Sequence, residues 1–89
     1  MAWTVKLDHA AERDLDKLDP QVARRILAFL FGRVARLEDP RCIGAALKGS
    51  EMGAYWKYRV GDWRIICEIR DAQIVVYVLA VGNRREVYR

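Results

Sequence analysis

The alternation of apolar and polar residues near the start of the chain is typical of a strand with one buried face. In residues 2–7, AWTVKL, the side chains of Trp3, Val5 and Leu7 would share one face, and polar side chains would occupy the other. This segment therefore predicts a half-buried β-strand.

Two helices are predicted next, because the apolar residues change to a spacing of three and four. Asp8 can cap a first helix that runs through about Leu18. Asp19 can cap a second helix with Pro20 in its first turn, and the apolar stripe carries that helix to about Leu37. The short connection between them predicts a helical hairpin.

The second half of the chain reads as a loop followed by strands. Glycines punctuate the predicted loop at residues 40–53, and three strands are predicted at about 54–60, 63–70 and 73–81. The last strand is apolar on both faces, which predicts an interior strand covered on both sides. The order β-α-α-β-β-β predicts one α+β domain over residues 1–89, with the helical hairpin packed on one sheet face.

The first two of these three strands are joined by a two-residue hairpin loop, Gly61-Asp62. Such a loop fixes the pairing register, so the side chains on each face can be assigned. The residue pairs expected on the apolar face toward the helices are Val60 with Trp63, Tyr58 with Ile65, and Trp56 with Cys67.

The opposite face of the hairpin places Arg59 across from Arg64, and Lys57 across from Ile66. Like charges directly opposite each other destabilise a sheet by about 0.2–1 kcal/mol. Paired guanidinium groups suit phosphate oxygens, so the pattern indicates an anion site. The alternative is that the arginines extend into solvent or pair with a nearby carboxylate, for which the candidates are Asp62, Glu68 and Glu86.

Composition narrows the class of protein. Hydrophobic residues make up 53% of the 89 residues and charged residues 31%, which is ordinary for a soluble globular domain. No leader or membrane-spanning run is recognised, so we expect a cytoplasmic location. Cys42 and Cys67 lack metal-ligand spacing, and we expect both to be reduced thiols. The sequence contains no P-loop, zinc motif or dinucleotide fingerprint, so no cofactor or metal is expected.

The net charge of +4 is distributed unevenly along the chain. Residues 1–19 carry three basic and five acidic side chains, whereas residues 20–89 carry thirteen basic and seven acidic. The basic excess favours a polyanionic partner, either a nucleic acid or an acidic protein segment, although solubility alone would also explain it.

The chain ends in VGNRREVYR, where basic residues and a tyrosine directly follow the last strand. They could fold back beside the hairpin, where a tyrosine can stack on a base and arginines can bind phosphate. Alternatively, the tyrosine only covers the sheet edge. The residues concerned are Arg84, Arg85, Tyr88 and Arg89.

The segments LKGS, AYWKYRVGDWRIICEI and VLAVGNRREVYR resemble the RelE/ParE superfamily of type II toxins, and the ending favours its RelE branch. The resemblance implies a four-stranded, mostly antiparallel sheet with two helices. It also implies an endoribonuclease that cuts mRNA in the ribosomal A site by attack of the 2′-OH on the adjacent phosphate. A cognate antitoxin would neutralise the toxin, and the complex would bind its operator DNA through the antitoxin.

The same resemblance assigns roles to individual residues. It implies that Lys57 acts as general base, Arg64 stabilises charge on the phosphate, Arg84 assists the leaving group, and Tyr88 stacks on the substrate nucleotide. The residues expected to make further contacts to RNA phosphates are Lys48, Arg59, Arg85 and Arg89.

Two other functions are compatible with the sequence. ParE-type relatives share the hairpin and poison DNA gyrase by binding it, which is a protein-binding activity on the same fold. A non-catalytic or decayed toxin that retains antitoxin or RNA binding is the other alternative. It is motivated by Tyr55, which stands where some RelE proteins carry a second strand lysine.

Overall fold

The computed structural model describes residues 2–49 and 53–83, which form two α-helices and a five-stranded sheet. The elements are β1 (Thr4–Leu7), α1 (His9–Asp16), α2 (Pro20–Gly32), β2 (Ala45–Ala46), β3 (Tyr55–Val60), β4 (Trp63–Arg70) and β5 (Val75–Asn83). The strand order is β1-β5-β4-β3-β2, with β1 parallel to β5 and all other neighbours antiparallel. The predicted α+β class with a mostly antiparallel sheet is confirmed.

Both helices begin where the sequence predicts. The Asp8 carboxylate accepts a hydrogen bond from the Ala10 N–H at 3.1 Å, and the Asp19 carboxylate accepts one from the Gln21 N–H at 2.9 Å. Pro20 occupies the first turn of α2, where its missing N–H costs no helical bond. Each cap satisfies a backbone donor that has no partner within the helix.

The predicted end of the second helix at Leu37 is wrong, because α2 stops at Gly32 and a 3₁₀ turn follows over Val34–Arg36. Val34 is fully buried in this turn, so the apolar stripe continues although the α-helix does not. The last step of the stripe, from Val34 to Leu37, is three residues, a spacing that a 3₁₀ turn also keeps on one face. The Trp3 N–H donates to the Ala35 carbonyl at 2.8 Å, which ties the 3₁₀ turn to the start of the chain.

The sheet has one strand more than predicted. The extra strand, β2, lies inside the predicted loop at 40–53 and has only two residues, too few to show an alternating pattern. The predicted strand at 73–81 begins two residues later and ends two residues later, at Asn83. Ile74 has a left-handed backbone (φ 55) in the turn before β5, which is rare for a β-branched residue and could not be expected from its type.

The core lies between the helices and one face of the sheet. Burial of an aliphatic or aromatic side chain there contributes about 1.5–3 kcal/mol relative to full exposure. Its fully buried members include Ile26, Leu30, Val34, Tyr58, Ile65, Val76 and Val78. On the opposite face of β5, Tyr77 is half-buried beneath Arg70, whose guanidinium lies 4.5 Å from the ring centroid. Val75 on the same outer face is buried, so the predicted cover of β5 is complete on the helix face and partial on the other.

Candidate nucleic-acid interface

The β3–β4 hairpin adopts the register that its two-residue turn predicts. Gly61 has φ 59, a left-handed conformation that glycine adopts without steric cost at the first position of such a turn. The Cα partners are Val60 with Trp63, Arg59 with Arg64, Tyr58 with Ile65, Lys57 with Ile66, and Trp56 with Cys67. The apolar face toward the helices is confirmed, since all six predicted residues belong to the core or pack against it.

The outer face of this hairpin carries three basic side chains close together. Arg59 is exposed, and its Nε donates to the Gly61 carbonyl at 3.0 Å. Arg64 and Lys57 are half-buried, and the Arg64 Nε is itself buried. Glu68, on the same strand as Arg64, accepts a hydrogen bond from the Arg70 Nε.

Small residues lie next to these cations on the neighbouring strand. In the β4–β5 register, Gly82 is the partner of Arg64 and Ala80 is the partner of Ile66. Partners in a sheet present their side chains on the same face. Neither of these two partners therefore carries a side chain larger than a methyl group beside the cations.

A chain segment at residues 40–46 forms the other wall beside β3. The Trp56 Nε1 donates to the Ile43 carbonyl at 2.7 Å, and the buried Tyr58 hydroxyl donates to the Pro40 carbonyl at 2.6 Å. Gly44 has φ 80, and a Cβ at this position would overlap the Lys57 carbonyl oxygen. Only glycine lets the segment approach β3 this closely.

The hairpin and this segment enclose an open cleft of about 220 Å³, here called the basic groove. Its lining consists of Gly44, Ala45, Lys57, Tyr58, Arg59 and Arg64. Burial raises the pKa of the Tyr58 hydroxyl, so this group is neutral and serves as a hydrogen-bond donor. Three cations around one cleft supply the charge and the hydrogen-bond donors that suit a phosphate or another compact anion.

An ion pair anchors the wall segment to the far end of the hairpin. Arg41 Nη1 and Nη2 donate to the two carboxylate oxygens of Asp71 at 2.7 and 2.9 Å, and Arg41 Nε donates to the Gly53 carbonyl at 3.0 Å. The hydrogen bond raises the pKa of Arg41 and lowers that of Asp71. The bidentate geometry fixes both partners in orientation as well as in charge.

The structure brings together three of the eight residues that the sequence suggests for the site, namely Lys57, Arg59 and Arg64. Lys48 is exposed in the turn after β2 and does not line the basic groove. The remaining four predicted residues lie outside the described part of the chain, and these are Arg84, Arg85, Tyr88 and Arg89.

Sequence reasoning missed the wall of the groove. The sequence pattern predicts only a loop at Gly44 and Ala45 and indicates no role for Arg41, whereas the first two line the groove and Arg41 anchors its wall. The glycine itself was the available signal, since a glycine in a loop can mark a close approach of two backbones. Nothing local in the sequence points to β3 as the element that is approached.

Within residues 2–49 and 53–83, no group of three or more His, Cys, Asp or Glu side chains is placed to hold a metal ion. None of the helices in the same residues has both the length and the apolar character needed to cross a membrane.

Comparison with known proteins gives consistent matches. Residues 5–88 match the family model described as the ParE toxin of the type II toxin-antitoxin system, parDE. The chain is 33% identical to toxin RelG of Mycobacterium tuberculosis over 89 residues, covering 100% of this chain and 99% of the relative. It is 31% identical to the mRNA interferase toxin RelE of Escherichia coli over 90 residues, covering 99% of this chain and 92% of the relative.

Solved structures agree with this relationship. The toxin-antitoxin complex RelBE2 of Mycobacterium tuberculosis contains a chain that superposes with a TM-score of 0.82 at 31% identity, covering 94% of this chain and 100% of that one. A free RelE variant of E. coli superposes with a TM-score of 0.79 at 27% identity, covering 99% of this chain and 92% of that one. The chain belongs to the ParE toxin family, within the RelE/ParE superfamily of type II toxins.

Proposed function

We propose that the protein is a RelE-type endoribonuclease that cuts mRNA on the ribosome, and that the basic groove holds the scissile phosphate. The observation that carries this proposal is the clustering of Lys57, Arg59 and Arg64 around one cleft of phosphate size. The relative from E. coli is named an mRNA interferase, which supports the same function.

The proposed reaction is an internal transfer of the phosphodiester. The ribose 2′-oxygen forms a bond to phosphorus as the bond to the 5′-oxygen breaks, giving a 2′,3′-cyclic phosphate and a 5′-hydroxyl. Lys57, which lines the basic groove, accepts the 2′-proton in this proposal. The Arg64 guanidinium stabilises the added charge on the phosphate oxygens.

The remaining roles in this proposal belong to the chain end. Arg84 would stabilise or protonate the departing 5′-oxygen, and Tyr88 would stack on a base of the substrate. Arg85, Arg89 and Lys48 would contact RNA phosphates further from the cleaved bond. These assignments rest on the family resemblance alone.

Primer extension on mRNA in purified translating ribosomes tests the activity. We expect new 5′ ends at A-site codons with the intact protein. Arg64→Ala should lower the cleavage rate about 10²–10³-fold through lost charge stabilisation, and Lys57→Ala about 10²–10⁴-fold through lost proton transfer. Arg84→Ala and Tyr88→Ala should also lose cleavage. Intact mRNA with the folded wild-type protein would refute the proposal, and full activity in Lys57→Ala would refute the base role.

Arg24→Ala is the matched control for these substitutions. Arg24 is an exposed arginine of α2 and does not line the basic groove. Its removal changes the net charge as Arg64→Ala does, so cleavage by Arg24→Ala should equal that of the wild type. A comparable loss in this variant would mean that overall charge, and not the groove, governs the activity.

We also propose a cognate antitoxin as the partner of this chain. Toxin-antitoxin complexes are known for relatives from M. tuberculosis, E. coli and Pyrococcus horikoshii. The complex would bind its operator DNA through the antitoxin. Co-expression with the product of the adjacent gene should yield a stable complex, and failure of the two proteins to copurify would contradict the pairing.

Inhibition of DNA gyrase is the second candidate function, and the ParE description of the matched family favours it. Growth arrest with intact mRNA and gyrase-dependent DNA damage would support this alternative. Because the same primer-extension assay reports on mRNA integrity, one experiment separates the two functions.

A further inference from the structure

A second pocket lies across Gly44 from the basic groove, between the C-terminal end of α2 and the edge of β3. It has a volume of about 260 Å³ and is here called the edge pocket. Its lining consists of Phe29, Arg33, Ile43, Gly44, Tyr58 and Arg59. Arg33 does not line the basic groove, and neither the sequence pattern nor the family resemblance suggests a role for it.

The two cavities adjoin each other. Gly44, Tyr58 and Arg59 contribute to both linings. Gly44 has no side chain, so only backbone separates the cavities at that residue. A ligand seated in the basic groove can therefore extend along Arg59 into the edge pocket.

The charge of the edge pocket is of one sign. Arg33 and Arg59 are both exposed, and the described lining of the pocket contains no aspartate or glutamate. Phe29 supplies an apolar wall, where its ring packs edge-on against Tyr58 with centroids 5.7 Å apart. Two guanidinium groups beside an apolar wall suit an anionic group joined to a flat or apolar body, as in a nucleotide.

We propose that the edge pocket is a second RNA subsite, in which Arg33 together with Arg59 binds the phosphate of a nucleotide next to the one cleaved. This inference rests on the proposed function, because it extends the same RNA strand beyond the basic groove. Arg59 is placed to serve both positions. Its Nε donates a hydrogen bond to the Gly61 carbonyl, and the N–H groups of its two Nη atoms are the donors proposed for phosphate.

A purely structural role for Arg33 makes a different prediction. Arg33 caps the C-terminus of α2, where a positive charge complements the helix dipole. In that role, its removal would lower stability slightly and leave RNA binding unchanged. Salt-dependent RNA binding therefore separates the two roles.

The test measures binding of a short fluorescent RNA whose 2′-hydroxyls are methylated, so that the strand cannot be cleaved. Affinity is determined by fluorescence anisotropy over a series of salt concentrations. Each phosphate contact contributes about 0.7 to the slope of log affinity against log salt for a single strand. We expect Arg33→Gln to reduce that slope by about 0.7, and Arg33→Lys to restore it, since lysine keeps the charge.

Arg24→Gln is the matched control on the same helix. Arg24 lies about two and a half turns before Arg33, which places the two residues on opposite sides of α2. Arg24→Gln removes the same charge from a site remote from the pocket, so its salt slope should equal that of the wild type. An equal reduction in both variants would overturn the subsite, because it would show that only net charge matters.

The remaining outcomes also decide the inference. If the wild type binds RNA and Arg33→Gln has the same slope and affinity, the edge pocket is not an RNA subsite, while cleavage through Lys57 and Arg64 stands. If Arg33→Gln weakens binding to the antitoxin and not to RNA, the pocket belongs to a protein interface and the inference is wrong. If the wild type fails to bind the RNA, the inference is also wrong, and the ribosome assay alone decides whether cleavage survives.

Discussion

Gly44 is the residue on which the shape of the candidate site depends most directly. Its left-handed backbone and the nearness of the Lys57 carbonyl both exclude a side chain. Gly49, in the following turn, has a similar φ of 84 but open space around its missing Cβ. A side chain at Gly49 would therefore meet backbone strain alone, whereas a side chain at Gly44 would meet both backbone strain and steric overlap.

Replacement of each glycine by alanine should give unequal losses of stability. Gly49→Ala should cost about 1–2 kcal/mol, because an L-residue disfavours the left-handed region. Gly44→Ala should cost about 1–3 kcal/mol more, because its Cβ also pushes the wall segment away from β3. Urea unfolding measures both changes, and equal losses would show that the overlap at Gly44 is relieved by a small shift.

The activity of the two variants provides a second comparison. Displacement of the wall should move Ala45 relative to Lys57, so Gly44→Ala should cut mRNA more slowly at a temperature where it remains folded. Gly49→Ala should retain wild-type cleavage. Normal cleavage by folded Gly44→Ala would show that the wall position is not needed for the reaction.

At the scale of elements, the wall segment and the β4–β5 turn are joined by Arg41 and Asp71. Asp71 has 63% of its side chain exposed, so the pair is screened by solvent and contributes at most about 1 kcal/mol. Its importance is geometric, since it holds residues 40–46 beside a hairpin that lies far away in sequence. Tyr58 and Trp56 hold the same segment from β3.

The lowered pKa of Asp71 predicts the direction of a pH effect. The folded state binds the Asp71 proton less tightly than the unfolded state, whose carboxyl titrates near pH ~3.9. The stabilisation is therefore complete above that pH and is lost as the pH falls through the lowered folded value. Asp71→Asn should lose about 0.2–1 kcal/mol at pH 7, and its difference from the wild type should shrink toward pH ~2.

Urea unfolding of both proteins at neutral and acidic pH measures this change. Glu38→Gln is the control, because Glu38 is exposed and its side chain makes no described ion pair. The control should follow the wild type at each pH. A constant deficit for Asp71→Asn at all pH values would mean that charge pairing with Arg41 is not the cause.

At the scale of the whole molecule, the two cysteines differ in how much of the structure must open before a reagent can reach them. Both are free thiols, with Cys42 exposed and Cys67 fully buried in β4. Burial raises the pKa of the Cys67 thiol, so the reactive thiolate is scarce and inaccessible in the folded state. Modification of Cys67 therefore requires opening of the central sheet.

Labelling with a thiol reagent at neutral pH should show one fast site and one slow site. The slow rate should follow global unfolding and rise when denaturant is added. Cys42→Ser should remove the fast phase and leave the slow one. Two fast phases in the wild type would mean that the sheet around Cys67 opens without global unfolding.

The local features of this fold are encoded by short stretches of sequence. The two-residue turn at Gly61 sets the register that faces Arg59 to Arg64, and Asp8 and Asp19 start the two helices. Each of these features depends on residues within a few positions of one another, where backbone geometry leaves few alternatives. For that reason they could be predicted without tertiary information.

Features that depend on distant partners could not be predicted in this way. The end of α2 at Gly32, the pairing of β2 with β3 and the left-handed backbone at Ile74 all occur where other parts of the chain meet them. Local periodicity contains no signal for such contacts. Where the intrinsic secondary-structure propensity of a segment and its tertiary packing disagree, the packing determines the structure.

The candidate site shows the same division. The sequence by itself determined that Lys57, Arg59 and Arg64 share one face, because the side-chain period of a strand is two. Only the tertiary structure decided that Gly44 closes that face into a groove and that Arg33 borders an adjoining pocket. The groove wall depends on long-range hydrogen bonds and on the close packing of one backbone against another, which involve residues that no local pattern connects.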